Sequence, residues 1–133
     1  MLFFSKRKDG GQKSNVDGFF LIELKSLFSI AILKFNKGAR EEFHSHAFDA
    51  LTWFVKGDIV EEDVNGTKYT YKRSLKPKIT PKDKVHKVIA NKDSWCITIR
   101  GKWVENWFEI TSDKKKKITF AHGRKVVKEE ILD

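Results

Sequence analysis

The chain has 133 residues, enough for one domain around one core. Hydrophobic residues make up 40%, with only 2 Pro and 8 Gly, which excludes a disordered or collagen-like chain. The formal net charge of +9 admits a polyanionic partner, but no nucleic-acid motif accompanies it, so nucleic-acid binding is a minor reading.

Cys96 is the single cysteine, so no internal disulfide can form and nothing points to an oxidising compartment. The apolar stretch from Leu27 to Leu33 is broken by Ser29 and is far too short to span a bilayer. Residues 1–8 place apolar residues before charges, the reverse of a secretory signal. The expectation is a cytoplasmic protein with no membrane partner.

Residues 1–15 are polar, contain Gly10-Gly11 and read as a loose tail, followed by one domain over 16–133. Short apolar runs then follow, Phe19 to Leu24 and Leu27 to Phe35, and Lys37-Gly38 ends them. Glu42 to Phe48 carries His44 and His46, and Ala50 to Val55 ends at Gly57. Ile59 to Val64 leads into Asn65-Gly66, a type I′ hairpin signal, with Thr67 to Arg73 returning. Pro77 and Pro81-Lys82-Asp83 mark turns before Val85 to Ala90, which carries His86. Ser94 to Ile99, Trp103 to Ile110 and Ile118 to Phe120 are further strands, and Lys114 to Lys117 reads as an exposed loop. Val126 to Leu132 fits strand or helix. Many short strands with regular turns predict an all-β sandwich or barrel.

On a strand, His44 and His46 point to one face, with Cα atoms about 7 Å apart. Imidazoles so placed can converge on one metal at about 2.1 Å. His86 is the third candidate, and these are three of only four histidines. Thr98 and Arg100 share a strand face opposite Trp95, Ile97 and Ile99. If that face is interior, Arg100 can fork a carboxylate or phosphate. Thr52 and Tyr69 are further substrate-binding candidates. Trp53, Trp95, Trp103 and Trp107 read as core or rim packing, and Cys96 as a small buried residue. No Ser-His-Asp order, P-loop or dinucleotide fingerprint is present.

The spacing Gly38, His44, His46, Ala50, Gly57 resembles the first motif of the cupins, and Pro81, Asp83, His86, Asn91 resembles the second, with the hairpin between them. The likeness covers residues 35–100. More closely, His44-Ser45-His46-Ala47-Phe48-Asp49 and the strand from Trp95 to Gly101 resemble small cupin-like proteins of phages and bacteria. The resemblance implies a single-domain jelly-roll barrel with His44, His46 and His86 as metal ligands. Ala50 departs from the glutamate usual in cupins, and Asp83 and Asn91 depart from the second motif. Asp49 adjoins the empty position and is read as supporting the ligands, with direct ligation as the alternative.

The resemblance also implies that three histidines suit Fe(II) first, as in the thiol dioxygenases of the class, with Zn, Ni and Mn as alternatives. The leading expectation is a metal-dependent enzyme, an oxygenase, acting on a small anionic molecule. A sugar isomerase or epimerase would need an acid–base pair from Tyr69, Asp49 or His122. A non-catalytic module sequestering an anionic metabolite or nucleotide needs no metal. A protein-interaction role would use the strand edges, and a homodimer is compatible with any of these.

Overall fold

The computed structural model describes residues 2–9, 14–39, 43–104, 106–111, 113–121 and 124–132. These form strands β1 (Leu2–Lys8), β2 (Val16–Leu24), β3 (Phe28–Phe35), β4 (Gly38–Ala39), β5 (Phe43–His44), β6 (Ala50–Lys56) and β7 (Ile59–Asp63). They continue with β8 (Lys68–Tyr71), β9 (Lys78–Thr80), β10 (His86–Ala90), β11 (Ser94–Arg100), β12 (Trp107–Ile110), β13 (Lys116–Ala121) and β14 (Lys125–Ile131). No α-helix occurs among the described residues, so none is long and apolar enough to cross a membrane.

One sheet runs β1-β2-β3-β11-β6-β9 and the other β14-β13-β12-β5-β10-β7-β8, with β4 also paired to β10. From β3 to β12 the chain repeatedly crosses between sheets, the connectivity of a jelly roll. Alternation sets the inner face. On β11, Ser94, Cys96, Thr98 and Arg100 are buried, while Ile97 and Ile99 are exposed. The register grades this inner face along its length. Leu33, Cys96 and Phe54 form an apolar row, Ala31, Thr98 and Thr52 a mixed one, and Ser29, Arg100 and Ala50 a polar one. The apolar end joins Val16, Phe20 and Ile59 in the core. The polar end opens into the cavity described below.

Three expectations need correction. Residues 2–8 are not a loose tail: β1 pairs with β2 from Leu2↔Glu23 to Lys8↔Asp17. Hydrophobic periodicity cannot signal this strand, because part of what it contributes inward is charged. Arg7 reaches the buried Glu23 and covers the Phe20 ring at 3.8 Å. The β7–β8 hairpin is not type I′, since only Gly66 (φ 91°) has positive φ there. The Gly66 amide donates to the Asp63 carbonyl and the Asp63 amide to the Thr67 carbonyl. This is a three-residue loop with glycine in the left-handed position. The lysine run is only partly loop. Lys116 and Lys117 begin β13, and the tip is held by Thr111 and Asp113, which accept from the Lys116 and Lys115 amides.

Gly57 (φ 129°) is required by close approach as well as by backbone sign. A Cβ there would lie 2.0 Å from Ser94 Oγ, which accepts from the Asp58 amide. Gly57→Ala is expected to destabilise the fold by about 2–4 kcal/mol, combining backbone strain with overpacking. Urea unfolding measures this, and a loss under about 1 kcal/mol would show that the β6–β7 turn relaxes freely.

Candidate metal centre

His44 ends β5, His86 begins β10, and the two are cross-strand partners. His46 lies just past the strand, where its amide donates to the Lys82 carbonyl and that of Ser45 donates to Phe108. This extended path keeps the two-residue period, so His44 and His46 face the same way. The three ring centroids lie 4.8–4.9 Å apart, with planes at 68–79° to one another. One nitrogen from each ring falls within 4.8 Å of the others. His46 Nε2 and His86 Nε2 are 3.2 Å apart. Two nitrogens bound to one ion at about 2.1 Å stand about 3.0–3.4 Å apart, so the spacing fits a metal.

Glu61, which is 2% exposed, orients one of these rings. His86 Nδ1 donates to its Oε2 at 2.6 Å, because a carboxylate can only accept. That fixes the tautomer and leaves the Nε2 lone pair aimed at the centre. Lys78 and Lys84 reach Glu61 at 2.7 and 2.8 Å. Burial alone would raise the Glu61 pKa, but the hydrogen bonds from His86, Lys78 and Lys84 outweigh it and hold the carboxyl well below the usual range. Burial, with the nearby charges of Arg100 and Lys78, holds His46 well below its ordinary 6.5. A neutral imidazole is the ligating form. His46 Nδ1 is buried with no hydrogen-bond partner among the described residues.

The triad opens onto a cavity of about 440 Å³ between the sheets. Arg100, 3% exposed, points into it from β11 and is forked by Asp9 at 2.9 and 2.5 Å. Thr52 and Thr98 share a hydroxyl hydrogen bond of 3.1 Å. Glu109 is the register partner of His44 on β12 and accepts from Arg124 at 3.0 Å. Phe48, Trp103 and Trp107 form an aromatic wall, with ring centroids 5.4 and 5.6 Å apart. The other two tryptophans, Trp53 and Trp95, lie off this cavity.

Of the residues expected from sequence, the structure brings together His44, His46, His86, Thr52, Thr98 and Arg100 around one cavity. It does not bring in Asp49 or Tyr69. Asp49 is exposed, and its Oδ1 accepts from the Lys82 amide, so it braces the loop from outside. Tyr69 is 44% exposed, and Tyr71, stacked on Phe54 at 5.0 Å, lines the cavity instead. His122 lies outside the described residues. Cys96 is fully buried, and that burial pushes its thiol up to about 12, so it offers no thiolate near neutrality. Asp9, Glu61, Lys78, Glu109 and Arg124 were missed. Period-2 alternation from Ile59 is the one signal that could have turned Glu61 inward.

No protein-family model and no curated protein sequence matches the chain. Solved structures do. A cupin-superfamily sugar phosphate isomerase from Silicibacter pomeroyi superposes with a TM-score of 0.64 at 11% identity, over 98% of this chain and 89% of that one. An RmlC-like cupin from Shewanella frigidimarina gives 0.56 at 15% identity, over 74% and 83%. KdgF from Halomonas gives 0.55 at 19%, over 75% and 94%. At such identities the likeness is one of fold: the chain has the jelly-roll fold of these cupin structures.

Proposed function

We propose that the protein is a metal-dependent enzyme in which His44, His46 and His86 hold one divalent ion, Fe(II) first, for oxygenation of a small anionic molecule. The observation that carries this is the convergence of three imidazoles, with one of them oriented by a buried carboxylate. When bound, such an ion supplies Lewis-acid polarisation and, for iron, redox chemistry. The rest is supplied by the chain. Glu61 holds the proton on His86 Nδ1. Phe48 and Trp103 exclude water from one wall. Arg7, Lys8 and Lys25 line the cavity in addition to the paired Arg100, Lys78 and Arg124, so its cations outnumber its carboxylates, which favours an anion.

The test is untagged protein, analysed for metal as purified and then reconstituted anaerobically with Fe(II). Oxygen uptake is followed against a panel of small thiol, hydroxy and keto acids. One ion per chain and uptake with a panel member are the expected results. Failure to retain any divalent ion would replace the enzyme by a non-catalytic binding module. A second reading, sugar-phosphate isomerisation, is favoured by the description of the structural neighbour that spans 98% of this chain. Its acid–base groups would be Glu109 and Tyr71. Retention of Zn or Ni with no oxygen uptake would move the proposal to it.

A further inference from the structure

Arg100 is a fork with a resident occupant. Its guanidinium is packed 4.5 Å from the Phe48 ring centroid and 5.3 Å from that of Phe20. Phe48 in turn stands 5.8 Å from the His46 ring, so the fork and the triad share one wall of the cavity. In register, Arg100 lies beside Ala50, whose small side chain leaves this end of the cavity open. The group filling the fork comes from 91 residues away: Asp9, just past β1, with both carboxylate oxygens on the two terminal nitrogens. Asp9 does not complete the site. Arg100 Nε is buried and has no hydrogen-bond partner among the described residues. A buried donor left without a partner beside a cavity is an opening for a ligand that the pair with Asp9 does not fill.

We infer that Arg100 is a carboxylate-binding site adjoining the histidine triad, and that Asp9 is an internal competitor holding the place of a substrate carboxylate. This rests on the proposed function for the role of the triad, and it narrows the anionic molecule to a small carboxylic acid. A tethered carboxylate competes at high effective concentration. A simple monocarboxylate therefore gains too little from the fork to displace Asp9. A carboxylic acid with a second group that reaches the triad gains from both ends. Selection would then be for acids with two binding groups at the right separation.

The experiment uses metal-free protein and malonate as the probe, with calorimetric titration of wild type, Asp9→Ala, Asp9→Asn and Asp9→Ala/Arg100→Lys. Malonate is expected to bind Asp9→Ala at least tenfold more tightly than wild type. The gain should disappear in the double variant, and neutral malonamide should not bind. The inference is overturned if Asp9→Ala keeps the wild-type circular dichroism yet gains no affinity. It is equally overturned if Asp9→Ala and the isosteric Asp9→Asn both fail to fold, which would make the pair structural. Because no metal is present, the result is independent of the triad. Gained malonate binding in a protein that never loads metal would keep this site and end the metal reading. Metal loading without that gain would do the reverse.

Discussion

Replacing His86 or His46 with alanine is expected to lower divalent-metal affinity by at least ~100-fold, since loss of a direct ligand exceeds the 10–100-fold typical of an outer partner. The two Nε2 atoms already face each other at 3.2 Å. In the metal-free chain, His86 Nε2 must accept there, because Nδ1 carries the proton given to Glu61. His86 Nε2 and His46 Nε2 would hold a bound ion through their lone pairs, with the His46 proton then on Nδ1. Either alanine variant therefore removes both the metal bond and the contact that holds the site ready. Asp49→Ala is the matched control. Its carboxylate faces outward to the Lys82 amide, so it should keep wild-type metal affinity. Competition titration with a chromophoric chelator measures all three. Equal affinity in parent and His86→Ala would show that the ion binds elsewhere, and loss in Asp49→Ala would restore that residue as a ligand.

Glu61 carries the second large effect. It balances Lys78 and Lys84 and orients His86 from a nearly sealed position. Removing one member of a buried charge network leaves the others uncompensated, so Glu61→Ala is expected to cost about 3–5 kcal/mol. Glu61→Gln keeps the volume and an acceptor, so it should fold, with metal affinity down about 10–100-fold. The pH dependence follows from the sign of the shift. The folded carboxyl is held below its ordinary 4.5. Its contribution is therefore fully present above that pH and is lost progressively as pH falls below it. Acid unfolding of wild type should be steeper below pH 4.5 than that of Glu61→Gln. Superimposable acid profiles would mean that Glu61 is not ionised in the folded protein.

The fold and the three imidazoles were legible because both depend on a period of two. Turn residues divided the chain into strands, and His44, His46 and His86 fell where one face of a sheet could gather them. The same period set Thr98 and Arg100 on one side of β11 and their aliphatic neighbours on the other. What surrounds the histidines was not legible, because it depends on cross-strand register between distant segments. In Ile59–Asp63, the run of three acids looks like a solvated edge, although Glu61 shares the face of buried Ile59. Glu109 meets His44 only through the β5–β12 pairing. Asp9 lies in a segment whose polarity reads as a tail, and the contacts that order it, the β1–β2 pairing, Arg7 on Glu23 and Asp9 on Arg100, all reach distant parts of the chain.

The crossing of the chain from sheet to sheet has a consequence for how the protein is made. β3 finds its second neighbour only when β11 arrives, and Asp9 waits for Arg100 across 91 residues of intervening chain. The hairpins β1–β2–β3, β7–β8 and β12–β13–β14 can form locally, but the pairings that close the barrel join distant segments, so loop-closure entropy must be met before they form. Folding on the millisecond-to-second scale is expected, as for other sheets dominated by distant pairings. The histidines come together only through the β5–β10 pairing, so a metal ion would stabilise the finished barrel rather than nucleate it. Added metal should then slow unfolding and leave the refolding rate almost unchanged.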